Sequence, residues 1–235
     1  MPTLDERQRL RHAAEQALAR QLVDLHATEP MPRSDRWNVA LFQHHRDSIG
    51  VTLVTTETRA DSTLRIHLAE AAGSSVAAGV LAAQISLECL RRTDSPNLSA
   101  LNRYFLVHPP SEHALLAAAT LCLNAEDATW CGSFAGLQAP TLIDPQGQIE
   151  TLRGIGPFLG LTDTTFPLIR GTLLPSSRLL ILAGSGSTGR VLPTLSRSEG
   201  IELGLGEIVE QMGRELVVGL EPGFGLTLVG IERRT

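Results

Sequence analysis

The stretch TWCGSFAGLQAPTLIDPQGQIETLRGIGPFLGL, residues 129–161, carries the pattern that decides the fold class. It begins in the second arm of a predicted hairpin, 128–134, whose first arm is 115–123 and whose turn contains NAED. Two more short strands are predicted at 140–144 and 148–152, joined by DPQG, whose Asp, Pro and Gly favour a tight turn. Because strands joined by short turns pair antiparallel, the stretch predicts an antiparallel sheet.

Outward from this stretch, strands and helices occupy separate blocks of the chain. Short, roughly alternating apolar runs predict further strands at 37–42, 49–55, 63–69, 177–183 and 226–232. Helices are predicted at 96–107, near 205–217, and after AGSS (72–75), the last with a buried face of Val76, Val80, Ala83, Leu87 and Leu90. This segregated order favours an α+β layered fold with mainly antiparallel sheets.

The N-terminal segment 4–27 is predicted to form a separate amphipathic helix, ended by the prolines of TEPMPRS (28–34). Its apolar face carries Leu10, Ala14, Leu18, Leu22 and Leu25. A helix of this length is marginal alone, so this face must pack on its own domain or on the same helix of a second copy. We therefore divide the chain into a linker and dimerisation helix (1–30) and one larger domain (31–235).

Composition excludes several classes of function. The 235 residues have a formal net charge of −5 and 4% aromatic residues, which disfavours general binding of nucleic acid. No run of about eighteen apolar residues is present, so we expect no membrane span. All 20 basic residues are arginine, which excludes Schiff-base and P-loop lysine chemistry.

Three cysteines, Cys89, Cys122 and Cys131, are an odd number in a chain of this length. They indicate reduced, mostly buried residues of a cytoplasmic protein and not a disulfide framework. The N-terminus MPTLDERQRLRH, charged with both signs, is unlike a secretory signal and agrees with that location.

Histidines are the first candidates for chemistry. His44, His45 and His67 lie on predicted neighbouring strands, where a zinc or nickel site is one interpretation. Adjacent residues of a strand point to opposite faces, so His44 and His45 cannot both face one site without a bulge. Surface or edge-strand histidines are the simpler interpretation.

Glu70 and the glycine-rich segment GSGSTGR (184–190) are the other candidates. Glu70 ends an apolar strand, where a carboxylate can hold a metal or position water; it can equally be a solvated strand end near the next helix N-terminus. GSGSTGR follows a strand as a phosphate loop does. However, Arg190 and Val191 stand where such a loop has Lys and Ser/Thr, so a flexible turn is the better interpretation.

Several segments resemble landmarks of one known family, in the right order. HLAEAAGSSVAAGVLAAQI (67–85) is similar to a strand that delivers D-x-S-G-x-G into a helix rich in small residues. Residues 129–161 are similar to a strand, N-A-G-H-x-P, a hairpin and a glycine-proline-leucine-glycine turn. SRLLILAGSGSTG (177–189) and GFGLTLVGIERR (223–234) stand where T-D-G and D-D-x-T occur. The chain thus resembles the bacterial SpoIIE/RsbU-type PPM (protein phosphatase 2C-like) serine/threonine phosphatases over about residues 10–235.

The resemblance implies an α-β-β-α sandwich of two mainly antiparallel sheets flanked by helices, preceded by a linker helix. It also implies hydrolysis of phosphoserine or phosphothreonine in proteins. In this family a pair of Mg²⁺ or Mn²⁺ ions, held by aspartates, activates a bridging water.

The chain departs from the family at the metal-binding motifs. GVTLVT (50–55) stands where the family has G-G-D-x-x-D, Glu70 is the only acid retained, and Leu137 replaces the histidine of N-A-G-H. The degenerate former metal positions are Thr52, Thr55, Glu70, Ser185, Phe224 and Gly225. One carboxylate cannot offset two divalent cations, so we expect no metal cofactor and no catalytic residue: a pseudophosphatase.

The leading hypothesis is a cytoplasmic regulatory or scaffold module that forms a homodimer through residues 4–27. It would bind a protein partner through the former active-site face, and the resemblance implies a STAS-domain anti-anti-sigma factor or a kinase/anti-sigma factor. One alternative is a weak metal-dependent serine/threonine phosphatase that uses Glu70, Asp47 and a histidine among His44, His45 and His67. The other is a structural subunit of a larger complex.

Overall fold

The computed structural model describes residues 34, 36–45, 51–59, 63–72, 76–91, 96–110, 114–184, 203–218, 220 and 225–234, together with Glu6 and Ala13. The strands within these ranges are β1 (Trp37–His45), β2 (Val51–Thr58), β3 (Thr63–Ala71), β4 (Leu116–Asn124), β5 (Thr129–Ala135), β6 (Thr141–Ile143), β7 (Ile149–Thr151), β8 (Ile169–Thr172), β9 (Arg178–Ala183) and β10 (Gly225–Arg233). The helices are α1 (Val76–Arg91), α2 (Ser99–Val107) and α3 (Leu205–Val217).

The strands form two five-stranded sheets. The first sheet has the order β1-β10-β9-β6-β7 and the second has the order β2-β3-β4-β5-β8. Every pair of neighbouring strands in these sheets is antiparallel. The predicted α+β class with mainly antiparallel sheets is confirmed.

Alternation along the strands builds a core between the two sheets. On β3, Ile66 and Leu68 point inward and pack with residues of the opposite sheet such as Ile181 and Val229. Successive strand residues face opposite sides, so the intervening residues of each strand meet a helix layer instead. Helices α1 and α2 cover the second sheet and α3 covers the first, which completes a four-layer α-β-β-α arrangement.

Helix α1 buries a different face from the predicted one. The residues that pack on the second sheet are Ala78, Ala82, Ile85 and Cys89. Val80 and Leu87 are each 51% exposed, so their prediction as buried positions was wrong. Alanine side chains let the helix lie close to the sheet, and this packing outweighs the larger apolar residues elsewhere on the helix surface.

Asn102, on α2, forms hydrogen bonds with the backbone of the turn at residues 160–164. Its amide nitrogen donates to the carbonyl oxygens of Thr162 and Thr164, at 2.9 and 3.4 Å, and its amide oxygen accepts from the N–H of Gly160 at 2.8 Å. Asn102 is almost fully buried. A single side chain therefore satisfies three backbone groups of this turn, a role for which the sequence pattern contains no signal.

Two sequence predictions are affected by the extent of the described residues. Of the predicted helix 4–27, only Glu6 and Ala13 are described, both in helical conformation; Leu10, Ala14, Leu18, Leu22 and Leu25 lie outside the described residues. The helix and the division at residue 30 therefore stay predictions.

Within the ranges given above, no helix has the length and apolar character needed to cross a membrane.

Candidate functional site

Thr52 and Glu70 lie opposite each other on β2 and β3, at the inner face of the second sheet. Both share that face with inward-pointing core residues, Val54 on β2 and Leu68 on β3. Glu70 is 7% exposed and Thr52 is 2% exposed. The interpretation of Glu70 as a solvated strand end was therefore wrong, because its carboxylate is enclosed between the two sheets.

The partner of Glu70 comes from the opposite sheet. Its Oε2 accepts a hydrogen bond of 2.8 Å from the backbone N–H of Gly184, which directly follows β9. Gly184 has a φ of +110°, and a Cβ there would lie 2.5 Å from the carbonyl oxygen of Gly225. Only glycine fits this position without strain, so this close approach of the backbone allows the Glu70–Gly184 bond to connect the two sheets.

Burial controls the charge of Glu70. Desolvation raises the pKa of this carboxyl to about 7, and the hydrogen bond from Gly184 only partly opposes the shift. Near neutral pH a large fraction of the side chain is therefore protonated. A neutral carboxylic acid attracts a cation far less than an aspartate held ionised does.

Among the described residues, Thr52 lies opposite Glu70, and further neutral polar groups lie at the same end of the sandwich. The Gln43 side-chain amide on β1 donates to the Thr52 carbonyl oxygen at 3.4 Å, and Gln43 lies opposite Thr227 in the β1–β10 register. The Thr227 hydroxyl is fully buried and has no hydrogen-bond partner within the described ranges. The end of the sandwich near Glu70 is thus lined by amide and hydroxyl groups.

The former metal positions predicted from the sequence do not all lie near Glu70. Thr55 points to the opposite face of β2, where its hydroxyl hydrogen-bonds to that of Ser86 on α1 at 3.2 Å. Gly225, the first residue of β10, lies against Gly184. Ser185 and Phe224 lie outside the described residues, as does Asp47. The structure therefore brings together Thr52, Glu70 and the Gly184–Gly225 contact, and it places Thr55 elsewhere.

The three histidines do not form one site. His44 alternates with the inward-facing Gln43 on the first sheet, so it points to the outer face there, whereas His67 points to the outer face of the second sheet. The shared zinc or nickel site is excluded because the two side chains lie on opposite sides of the sandwich. His67 is also neither at the surface nor on an edge strand: it is 2% exposed and β3 lies between β2 and β4.

Burial also controls the charge of His67. Desolvation, assisted by the nearby positive charge of Arg65, lowers the pKa of His67 to about 4. Neither ring nitrogen has a hydrogen-bond partner among the described residues. The imidazole is therefore a neutral core side chain at physiological pH.

The site does not fit a pair of divalent cations. Two such ions need several carboxylate oxygen ligands, whereas the described part of the site offers one carboxyl, already bonded to a backbone amide, opposite the neutral Thr52. Across all residues that the structure describes, no group of three or more His, Cys, Asp and Glu side chains is arranged to hold a metal ion. No step of metal-dependent hydrolysis can be derived from these residues.

No family model matches the sequence, and no curated protein does. The structure, in contrast, is similar to many solved ones. The RsbU and RsbW domains of Rv1364c from Mycobacterium tuberculosis superpose with a TM-score of 0.70 at 18% identity, over 86% of this chain and 61% of that one. This chain therefore spans about three fifths of that solved chain.

Two further structures have the same architecture. RsbX in complex with magnesium gives a TM-score of 0.65 at 16% identity, over 87% of this chain and 98% of that one. The PP2C phosphatase domain of SpoIIE from Bacillus subtilis, solved with a fragment of its regulatory domain, gives 0.61 at 11% identity, over 85% of this chain and 63% of that one. The chain has the fold of the PPM phosphatases, so the predicted resemblance and the predicted α-β-β-α sandwich are confirmed.

Proposed function

We propose that this protein is a catalytically inactive PPM-type phosphatase homologue that acts as a regulatory protein-binding module in bacterial signalling. The observation that carries the proposal is the state of Glu70: the one acid retained at the former metal positions is buried and hydrogen-bonded to Gly184. We place the protein in the cytoplasm, in agreement with its reduced cysteines.

Charge is the first argument against catalysis. A binuclear centre brings four positive charges into a confined site, and aspartates of the family offset them. Here Thr52 is neutral, Gly225 has no side chain, and the pKa of Glu70 is raised to about 7 by burial. Without several carboxylates, the cost of dehydrating two divalent ions is not recovered.

Geometry is the second argument. The Glu70–Gly184 hydrogen bond joins the second sheet to the end of β9 directly. We infer that this contact takes over the structural role of the metal pair, which in the family connects ligands on different strands. The scaffold then keeps its shape without ions, and its surface stays available for a partner.

The partner class follows from the resemblance. RsbU-type domains point to a STAS-domain anti-anti-sigma factor, or to a kinase/anti-sigma factor, as the bound protein. The similar Rv1364c structure contains an RsbU and an RsbW domain of one protein, which is compatible with a regulatory protein as the partner. Self-association through the apolar face of residues 4–27 belongs to the same proposal.

Catalysis is tested with Mn²⁺ on the full chain. Calorimetric titration is expected to give no saturable heat at the concentrations at which a family phosphatase is loaded, and a phosphopeptide is expected to stay intact. Glu70→Gln, which keeps an acceptor for the Gly184 N–H, is the matched control for Glu70→Ala. Binding of two ions that Glu70→Ala abolishes, together with phosphopeptide turnover, would establish the weak-phosphatase alternative.

Partner binding is tested with the STAS-domain and anti-sigma kinase proteins encoded in the same genome, titrated in phosphorylated and unphosphorylated forms. Saturable binding to one of them is expected. If none binds and the protein co-purifies from its host with components of a large machine, the structural-subunit alternative is correct.

Dimerisation is tested separately by light scattering. A dimer that becomes a monomer when Leu18 and Leu22 are both changed to Glu is expected. A wild-type chain that is already a monomer would exclude the dimer.

A further inference from the structure

One cross-strand row on the outer face of the second sheet combines two thiols and two guanidinium groups. The strand registers place Arg65 on β3 opposite Cys122 on β4, Cys122 opposite Cys131 on β5, and Cys131 opposite Arg170 on β8. Directly opposed residues of antiparallel strands share one face. The cysteines are therefore neighbours, with an arginine on each side.

The two thiols are within bonding reach of each other. The Cys131 thiol is hydrogen-bonded to that of Cys122. Directly opposed residues have Cβ atoms about 4.5–5.5 Å apart, close to the separation that a disulfide requires, so closure needs only a small adjustment of the two strands. Neither sulfur is in a disulfide in this structure.

Access distinguishes this pair from the third cysteine. Cys122 and Cys131 are partly exposed and line a groove of about 560 Å³, together with Asn124, Trp130 and Arg170. Cys89, on α1, is 5% exposed and packs against the second sheet. A small oxidant in solution can reach the first two sulfurs but not the third.

The hydrogen bond between the thiols and the charges around them act on the protonation of the pair in opposite directions. The hydrogen bond with Cys122, followed by burial, raises the pKa of Cys131, while Arg170 and Arg65 oppose this shift. One thiol of the pair therefore keeps its proton and donates it to the other sulfur. An arginine stands opposite each cysteine in the row, and these positive charges favour a thiolate on the accepting sulfur.

We propose that Cys122 and Cys131 are a peroxide-reactive dithiol that closes reversibly into a cross-strand disulfide. The thiolate of one cysteine attacks a hydroperoxide, the O–O bond breaks, and the leaving alkoxide or hydroxide takes up a proton to give an alcohol or water. The resulting sulfenic acid is attacked by the sulfur of the other cysteine, which loses its proton, and water leaves as the S–S bond forms. The two sulfurs together lose two electrons, which the peroxide gains; a small thiol returns them.

Mass spectrometry after treatment with stoichiometric hydrogen peroxide tests the proposal on the intact chain. Trypsin cleaves after arginine, and the sequence has no arginine or lysine between Arg103 and Arg153, so Cys122 and Cys131 stay together in peptide 104–153. Cys89 lies in a different peptide, 66–91. Peptide 104–153 is expected to lose about 2 Da and to resist alkylation until dithiothreitol is added. Peptide 66–91 is expected to stay reduced.

Variants assign the chemistry. Cys122→Ser and Cys131→Ser should each abolish the loss of about 2 Da, whereas Cys89→Ser should leave it intact. Arg170→Gln should slow thiol loss about two- to fivefold without preventing it. Because wild-type peptide 104–153 reports the bond by itself, misfolding of a variant does not obscure the result. A gain of about 32 Da in that peptide without disulfide formation, or a disulfide between two chains, would overturn the proposal.

Discussion

Glu70 and His67 are expected to contribute opposite and nearly cancelling pH dependences to the stability of the fold. They lie three residues apart on β3 and point to opposite faces, Glu70 between the sheets and His67 on the outer face of the second sheet. The perturbations that separate them are Glu70→Gln, His67→Met and the double substitution. Each replacement is of similar size and removes a titrating group.

The direction in which Glu70 makes stability depend on pH follows from its raised pKa. Its carboxyl has a pKa of about 7 in the folded protein, against an ordinary value of 4.5. The stabilisation from protonated Glu70 is complete below about pH 4.5 and is lost as the pH rises through about 7. At about 1.36 kcal/mol for each pKa unit, the total change is about 3 kcal/mol.

The sign for His67 is the reverse. Its pKa is about 4 in the folded protein, against an ordinary value of 6.5. The stabilisation from neutral His67 is complete above about pH 6.5 and is lost as the pH falls through about 4, again by about 3 kcal/mol. Between about pH 4.5 and about pH 6.5 the folded protein therefore holds its proton on Glu70, while the unfolded chain holds one on His67.

Urea unfolding at a series of pH values in this window, with EDTA present, measures both contributions. Relative to wild type, the free energy of unfolding of Glu70→Gln should rise by about 1.4 kcal/mol per pH unit, and that of His67→Met should fall by the same amount. The free energy of unfolding of the double variant should change with pH in parallel with that of wild type. All other titrating groups cancel in these differences, so parallel curves for Glu70→Gln and wild type would refute the assignment of a raised pKa to Glu70.

Three further substitutions, two of them paired with a matched control, test the packing described above by chemical denaturation. Gly184→Ala should destabilise the fold by at least about 2 kcal/mol, because residue 184 has a positive φ and the added Cβ would meet the Gly225 carbonyl oxygen. The control is Gly206→Ala on α3, which should be neutral or stabilising because nothing lies within 4 Å of the added Cβ. Asn102→Ala should cost about 2–3 kcal/mol and accelerate amide exchange of Gly160; unchanged exchange would contradict its role. Ile85→Ala should lower the free energy of unfolding by about 2–4 kcal/mol, and Leu87→Gln should lower it by less than about 0.5 kcal/mol. The opposite order would show that the face of α1 predicted from the sequence is the buried one.

The reliable part of the sequence prediction was local. The hairpin of β4 and β5, the DPQG turn between β6 and β7 and the long strands all occur within a few residues of their predicted bounds. Each of these depends on alternation or turn chemistry that neighbouring residues carry. Strand β8 (Ile169–Thr172) was not predicted, because its four residues, IRGT, of which two are exposed and two half-buried, carry no clear apolar alternation and depend on pairing with β5.

Helix α1 shows where periodicity was insufficient. The helix is apolar on more than one side, so the stripe with Val80 and Leu87 and the stripe with Ala78 and Ile85 both satisfy helical spacing. The choice between them depends on how closely the helix approaches the sheet, which no local pattern encodes.

The sequence by itself determined that Glu70 is an acid at the end of an apolar strand, since residue identity and order along the chain are enough to establish this. Only the tertiary structure decided what that acid does. Its hydrogen-bond partner Gly184 lies 114 residues further along the chain, and the two meet because the sheets pack face to face. The same packing removes water from the carboxyl, and desolvation depends on neighbours in space and not on neighbours in sequence.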